Sequence, residues 1–187
     1  MAMTCAEKIL AAKAGKDRVV PGEIVIVPVD CAMMTDILGP RILAAELERL
    51  GRPIWDPERV VVVCDHYTPS ATEHQAEIDR FTREWAAQHD VRHCYELEGP
   101  CHQLLAERGF SRPGSILVGT DSHSCTSGAF GCFGTGIGST EMLGVLIRGE
   151  IWFKVPESIR ITWNGALPRS VMAKDLILRT IGVLGHA

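Results

Sequence analysis

The sequence predicts an α/β fold with a mostly parallel sheet, and three observations lead there. Apolar, strand-like runs alternate with helix-forming segments from end to end, the pattern of strands joined by helical crossovers. One run, Val60–Cys64 (VVVVC), is continuous rather than alternating, as in a strand buried on both faces. Two of the runs pass directly into Asp and His residues, where open α/β sheets hold their ligands.

Taken in order, Thr4 and Glu7 have capping-box spacing, and a helix follows over Ala6–Ala14 with Gly15 as its stop. Pro21-Gly22 turns the chain into a strand, Glu23–Val29. Asp30–Gly39 (DCAMMTDILG) reads as a loop or strand exit. Pro40 opens a helix carrying Ile42, Leu43, Leu47 and Leu50, closed by Gly51. After Val60–Cys64 a helix is expected over Glu73–His89, with Thr72 and Gln75 again at capping-box spacing. Val91–Leu97 reads as a short strand and Cys101–Arg108 as a short helix. The apolar run Ile116–Val118 enters a glycine-rich stretch, after which a helix spans Ser139–Gly149. Ile159–Trp163 is expected as a further strand, and a last helix runs from Met172 to Ile181. Gly182–Ala187 breaks off just after it, as a domain or a fragment would.

The 187 residues suit a single α/β domain over 1–187, able to bury roughly 70% of its unfolded surface. Against 23 acidic side chains stand 19 Lys and Arg, without a basic stripe, so nucleic acid is not an expected partner. An anionic substrate has to be held locally. The N-terminus lacks a basic region followed by a long apolar run, and nothing approaches the ~20 apolar residues that span a bilayer. A cytoplasmic protein without membrane association is expected. The seven cysteines include no CxxC pair, and an odd count without a secretion signal reads as reduced thiols.

The chemistry concentrates in ILVGTDSHSCTSGAFGCFGTGIGST, Ile116–Thr140. Asp121, Ser122 and His123 stand just before five glycines within eleven residues, which let the backbone approach something closely. Asp65-His66 follows the Val60–Cys64 run, and His102 opens a predicted helix. If the two strands are neighbours, both clusters face one crevice. Read singly, each group has a bland explanation, since Asp and Ser after a strand often cap the next turn. Three His and two Asp at equivalent ends of an alternating pattern favour a functional site.

A Ser-His-Asp triad built from residues 121–123 fails if they are extended, because consecutive side chains then diverge. A composite of Ser122 with His66 or His102 lacks the G-x-S-x-G elbow. A mononuclear metal site from His66, His102, His123 and Cys125 has ligands that suit zinc but no diagnostic spacing. Gly134-x-Gly136-x-Gly138 falls short of G-x-G-x-x-G, Ser139 standing in the last position. Backbone N–H groups there, with the N-terminus of the Ser139 helix, are expected to bind carboxylate oxygens.

Val118-Gly-Thr-Asp-Ser-His123, Cys125-Thr126 and the glycine run together resemble the aconitase superfamily. So do Ala6-Glu-Lys-Ile9, Asp65-His66, Cys101-His102-Gln103, Gly138-Ser-Thr-Glu-Met142 and Trp152–Glu157, in the same order. The likeness covers nearly the whole chain and is nearest to the 3-isopropylmalate dehydratase large-subunit branch with its homoaconitase and dimethylmalate dehydratase relatives. It implies an incomplete α/β/α layered, aconitase-type N-terminal domain. It also implies dehydration and rehydration of a small hydroxy acid at a [4Fe–4S] cluster. Hydroxide leaves poorly, so such chemistry needs a Lewis acid on its oxygen and a proton donor beside it. On this resemblance Asp65, His66, His102, Asp121 and His123 handle protons, while Ser122 and Thr126 contact substrate.

Departures from the family pattern shape the rest of the expectation. The family's cluster cysteines, including a CxxC pair, have no counterpart here, and a cuboidal cluster needs such thiolates. Its serine base sits on a swivelling domain or small-subunit polypeptide, the implied partner. A downstream Glu partner for the histidine equivalent to His123 is missing as well. At Thr35 the isopropylmalate branch usually has His. The chain is therefore expected to be inactive alone and to self-associate through uncovered apolar surface. A non-catalytic carboxylate-binding or subunit-interaction module with a vestigial pocket is the alternative, and a hydrolase using Ser122 is a third reading.

Overall fold

Reciprocal capping sets the first element. Thr4 N–H donates to Glu7 Oε2 at 2.7 Å and Glu7 N–H to Thr4 Oγ1 at 3.3 Å, so α1 runs over Cys5–Lys13. The computed structural model describes residues 2–185, and of the closing Gly182–Ala187 stretch the last two residues lie outside them. Pro40 at the first turn and the left-handed Gly51 at the end bound α2, Pro40–Leu50. Thr72 caps α3, Glu73–Gln88, although Gln75 accepts from Ala71 N–H rather than closing the box on Thr72. The helices α4, Cys101–Glu107, α5, Ser139–Arg148, and α6, Ala173–Leu184, complete the set.

Five strands form one parallel sheet: β2 (Cys31–Thr35), β3 (Val60–Cys64), β4 (His93–Glu96), β5 (Ile116–Gly119) and β6 (Phe133–Gly136). Their order is β4-β3-β2-β5-β6. One face packs on α1, α2, α3 and α5 through Met34, Val62 and Val118. The other carries Met33, Val61 and Leu117 against Cys101, Leu104 and Leu105 of α4. That is an α/β/α layering, as expected. A separate antiparallel ribbon pairs β1 (Ile24–Pro28) with β7 (Glu150–Lys154); Val25 and Val27 point inward while Ile24, Ile26 and Trp152 face out.

Four expectations need correction. Asp30–Gly39 contains β2, the central strand, fully buried on both faces; its Cys-Ala-Met-Met-Thr composition has weak β preference, and burial decides instead. The glycine-rich stretch contains β6, an edge strand of small residues. The late strand is Glu150–Lys154, not Ile159–Trp163: β1 supplies a partner for the former, whereas no strand among the described residues pairs with the latter, whose Ile159 and Trp163 are exposed. Finally, β3 and β5 are not neighbours, because β2 lies between them. The two His clusters therefore face each other across the end of β2.

Candidate active site

The carboxyl ends of three adjacent strands each release an aspartate: Asp36 beyond β2, Asp65 beyond β3 and Asp121 beyond β5. Asp121 is the hub. Its Oδ1 lies 2.8 Å from His102 Nε2, accepts His123 N–H at 2.8 Å and stands 3.2 Å from His123 Nδ1. Its Oδ2 is 3.9 Å from His66 Nε2. All three predicted imidazoles thus meet one carboxylate, although two loops and a helix carry them. Partial burial pushes the Asp121 carboxyl up, but the His123 backbone N–H, His102 and the His123 ring more than offset it, and the carboxyl settles below its ordinary value.

His66 is held from the other side. Its Nδ1 is 2.8 Å from Asp65 Oδ1 and 3.2 Å from Asp36 Oδ1, and Asp65 Oδ2 accepts Cys101 N–H at 2.6 Å. Asp36 was not singled out from the sequence. Its signal is an acid placed just past an apolar run, as at Asp65, but Asp30–Gly39 reads from its composition as a loop or strand exit and does not mark the run as a strand.

The remaining candidates divide. Ser122 lines a cleft of about 490 Å³ with Asp121, Thr120, Leu38 and Cys125; Asp65 lines a second of about 400 Å³ with Cys64, Thr68 and Gly99. Thr126 is exposed on the 3-10 turn Ser124–Phe130 and lines neither. Thr35 is 1% exposed, its hydroxyl turned toward Leu38 N–H. A groove of about 550 Å³ between α2 and α3 holds none of the candidate residues. Neither site cleft is lined by Lys or Arg.

Residues 121–123 occupy a turn, not an extended segment, so the expected divergence of their side chains does not apply. The triad fails for another reason. Ser122 Oγ at 3.3 Å and Asp121 Oδ1 at 3.2 Å address the same ring nitrogen of His123, whereas a relay needs them at opposite nitrogens. Among the described residues no hydrogen bond joins Ser122 to His66 or His102. On the site's rings, the buried atom that lacks a partner among the described residues is His102 Nδ1, not one on His123.

The same groups are the molecule's candidate metal ligands. Asp36, Asp65 and His66 form one convergent set and His102, Asp121 and His123 another, and neither includes Cys125 or any other cysteine. The carboxylates of both sets are already engaged by backbone N–H groups. Burial pushes the Cys31 thiol up to about 12, and burial and then Asp65 raise Cys101. Neither convergent set among the described residues offers a thiolate, so these residues do not fit an iron–sulfur cluster, which is held by convergent thiolates. The glycines have a local use: a Cβ on Gly134 would stand 2.8 Å from Ser124 O and one on Gly136 2.8 Å from Asp121 O. They let β6 slide under the Asp121 turn. At the start of α5, Glu141 folds back over Gly138, so the helix N-terminus expected to bind a substrate carboxylate is approached by the protein's own acid.

An α/β/α layer with aspartate–imidazole pairs gathered at the carboxyl ends of its parallel strands is the class of protein that this fold and site define. Residues 7–187 match the aconitase family (aconitate hydratase), and the chain belongs to that family. It is 45% identical over 187 residues to 3-isopropylmalate dehydratase large subunit 1 of Methanopyrus kandleri, covering 99% of this chain and 44% of that protein. From Methanothermobacter thermautotrophicus, a probable 3-isopropylmalate dehydratase large subunit and a probable methanogen homoaconitase large subunit are each 46% identical, over 99% and 98% of this chain and 44% of each relative. The chain thus spans less than half the length of these relatives.

Proposed function

We propose that this chain, as one α/β domain, is the proton-handling part of a hydro-lyase/isomerase that dehydrates and rehydrates a small hydroxy di- or tricarboxylic acid, most like 3-isopropylmalate. The observation that carries the reading is the convergence of His66, His102 and His123 on Asp121. Asp65 holds the proton on His66 Nδ1, which turns Nε2 toward the cleft as the atom that gives or takes a proton. Asp121 holds the other two rings. Ser122, and on family resemblance Thr126, contact the substrate.

The rest of the reading lies outside these 187 residues. A [4Fe–4S] cluster, when bound, would supply the Lewis acid for the leaving hydroxyl; its ligands are not this chain's thiols. A small-subunit polypeptide would bring the serine base. The cation-free clefts and the partnerless His102 Nδ1 support a site completed by other residues. On family resemblance the setting is the cytoplasm; no described helix is long and apolar enough to cross a membrane. The dispersal of the cysteines favours a second reading, a carboxylate-binding or subunit-interaction module with a vestigial pocket.

A chimera separates the two. The matching segment of the Methanothermobacter thermautotrophicus 3-isopropylmalate dehydratase large subunit is replaced by this chain and assayed, with its small subunit, for hydration of an unsaturated diacid. Turnover is expected, with a loss of about 100-fold or more in the His66→Gln version. The isolated chain, given iron and sulfide, is expected to show neither cluster absorbance nor turnover. A folded, cluster-loaded chimera without turnover sinks the catalytic reading.

A further inference from the structure

Asp36 is the least exposed ionisable group near the site, at 0%. Moving a carboxylate out of water is costly unless it is paired and hydrogen-bonded. Both its oxygens are turned on one loop: Oδ2 takes Tyr67 N–H at 2.9 Å, and Oδ1 takes His66 N–H at 3.4 Å while lying 3.2 Å from His66 Nδ1. Its own N–H donates to Val63 O at 3.2 Å, which fixes it to the strand whose loop it grips. Among the described residues no Lys or Arg pairs with it.

We propose that Asp36 is a positioning residue that holds the His66 loop and keeps the imidazole proton on Nδ1, with Nε2 presented to the cleft. The proposal rests on reading His66 as a proton-handling group. Asp65 takes the ring hydrogen bond at 2.8 Å. Asp36 adds a second acceptor oxygen at the same nitrogen, so a lone pair on Nδ1 would face the oxygens of two acids at once. The Nδ1–H form, or the imidazolium, is then the form that both acids accept. Across the ring, Nε2 is 3.9 Å from Asp121 Oδ2, beyond a direct hydrogen bond and within reach of a substrate hydroxyl or water placed between.

A purely structural Asp36 would only tie the loop to β2, and an asparagine oxygen would still accept from Tyr67. The tautomer tells the two apart. On the full chain with 15N-labelled histidine, long-range 1H–15N spectra are recorded above the titration of the ring. Wild type is expected to show His66 mainly as Nδ1–H, and Asp36→Asn to raise the Nε2–H share by about threefold or more. In Asp65→Asn, where Asp36 is the remaining carboxylate at that nitrogen, Nδ1–H is expected to stay the major form. An unchanged tautomer in folded Asp36→Asn overturns the proposal, as does Nε2–H predominance in wild type. If Asp36→Asn does not fold, the Asp65→Asn spectrum decides: loss of the Nδ1–H majority there is equally fatal. The readout needs no turnover, so an inactive chimera leaves it standing and its failure leaves the chimera test untouched.

Discussion

Asp121 shows how one side chain sets a measurable pH dependence. Its carboxyl sits below its ordinary value because the gains from His123 and His102 outweigh its partial desolvation. A depressed folded value means the contribution to stability is complete above the unfolded carboxylate value and fades as pH falls through the folded one. Asp121→Asn should therefore be less stable than wild type at pH 7 by about 1–3 kcal/mol, with the gap closing in acid, as pH falls below the ordinary carboxylate value of about 3.9. Urea unfolding at the two pH values checks this, and a gap that persists in acid would assign the loss to something other than the ionised carboxylate. At this scale the site was largely legible: Asp65, His66, His102, Asp121 and His123 all converge. Asp36 was not, because its role depends on β2, and β2 gave no β-branched signal. Thr126 was carried by a motif, and the turn leaves it exposed.

Elements were legible where local chemistry decides them. Capping residues and terminal glycines placed α1, α2 and α5 within a residue or two, since those signals act within one turn. Strands whose identity comes from neighbours were not legible: β2 owes its place to burial between β3 and β5, and β6 to its packing under the Asp121 turn. The latter gives a prediction. Gly136 has no positive φ, so alanine there is resisted by contact alone, its Cβ landing 2.8 Å from backbone Asp121 O. Backbone cannot swing aside as a side chain can. Gly136→Ala should lose about 1–3 kcal/mol and shift the His123 resonances, because the turn it displaces carries Asp121. Gly128→Ala, with nothing within 4 Å of its Cβ, should change neither. Equal effects from both in urea melts would remove the packing account of the glycine spacing.

At the scale of the molecule, the two ends of the chain differ in how they are covered. The sheet and its helices enclose a core in which Leu10, Met33, Leu117 and Leu146 are fully buried. Beyond β7 no residue of α6 is buried, and Ile159, Met172, Val183 and Leu184 are each more than half exposed, alongside Trp163 at 52% and Leu178 at 56%. Ile24, Ile26 and Trp152 add an outward apolar face on the ribbon. Ile161, Trp163, Val183 and Leu184 line one groove of the tail, and an exposed apolar patch of this kind marks a surface that associates. For the 187-residue chain alone the available cover is a second copy, so it should self-associate. Light scattering after size exclusion is expected to give a mass above the single-chain 20.4 kDa that rises with micromolar concentration. Charging the tail with Trp163→Glu and Leu178→Glu should return it toward one chain, whereas Ile26→Glu alone should do so only if the ribbon is the contact. Trp163 and Leu178 are half exposed and belong to neither buried cluster, so the fold should survive their substitution and the change in mass would report the surface itself. A wild-type chain that elutes as a clean monomer at every concentration contradicts the assignment and leaves the exposed tail without a consequence in solution.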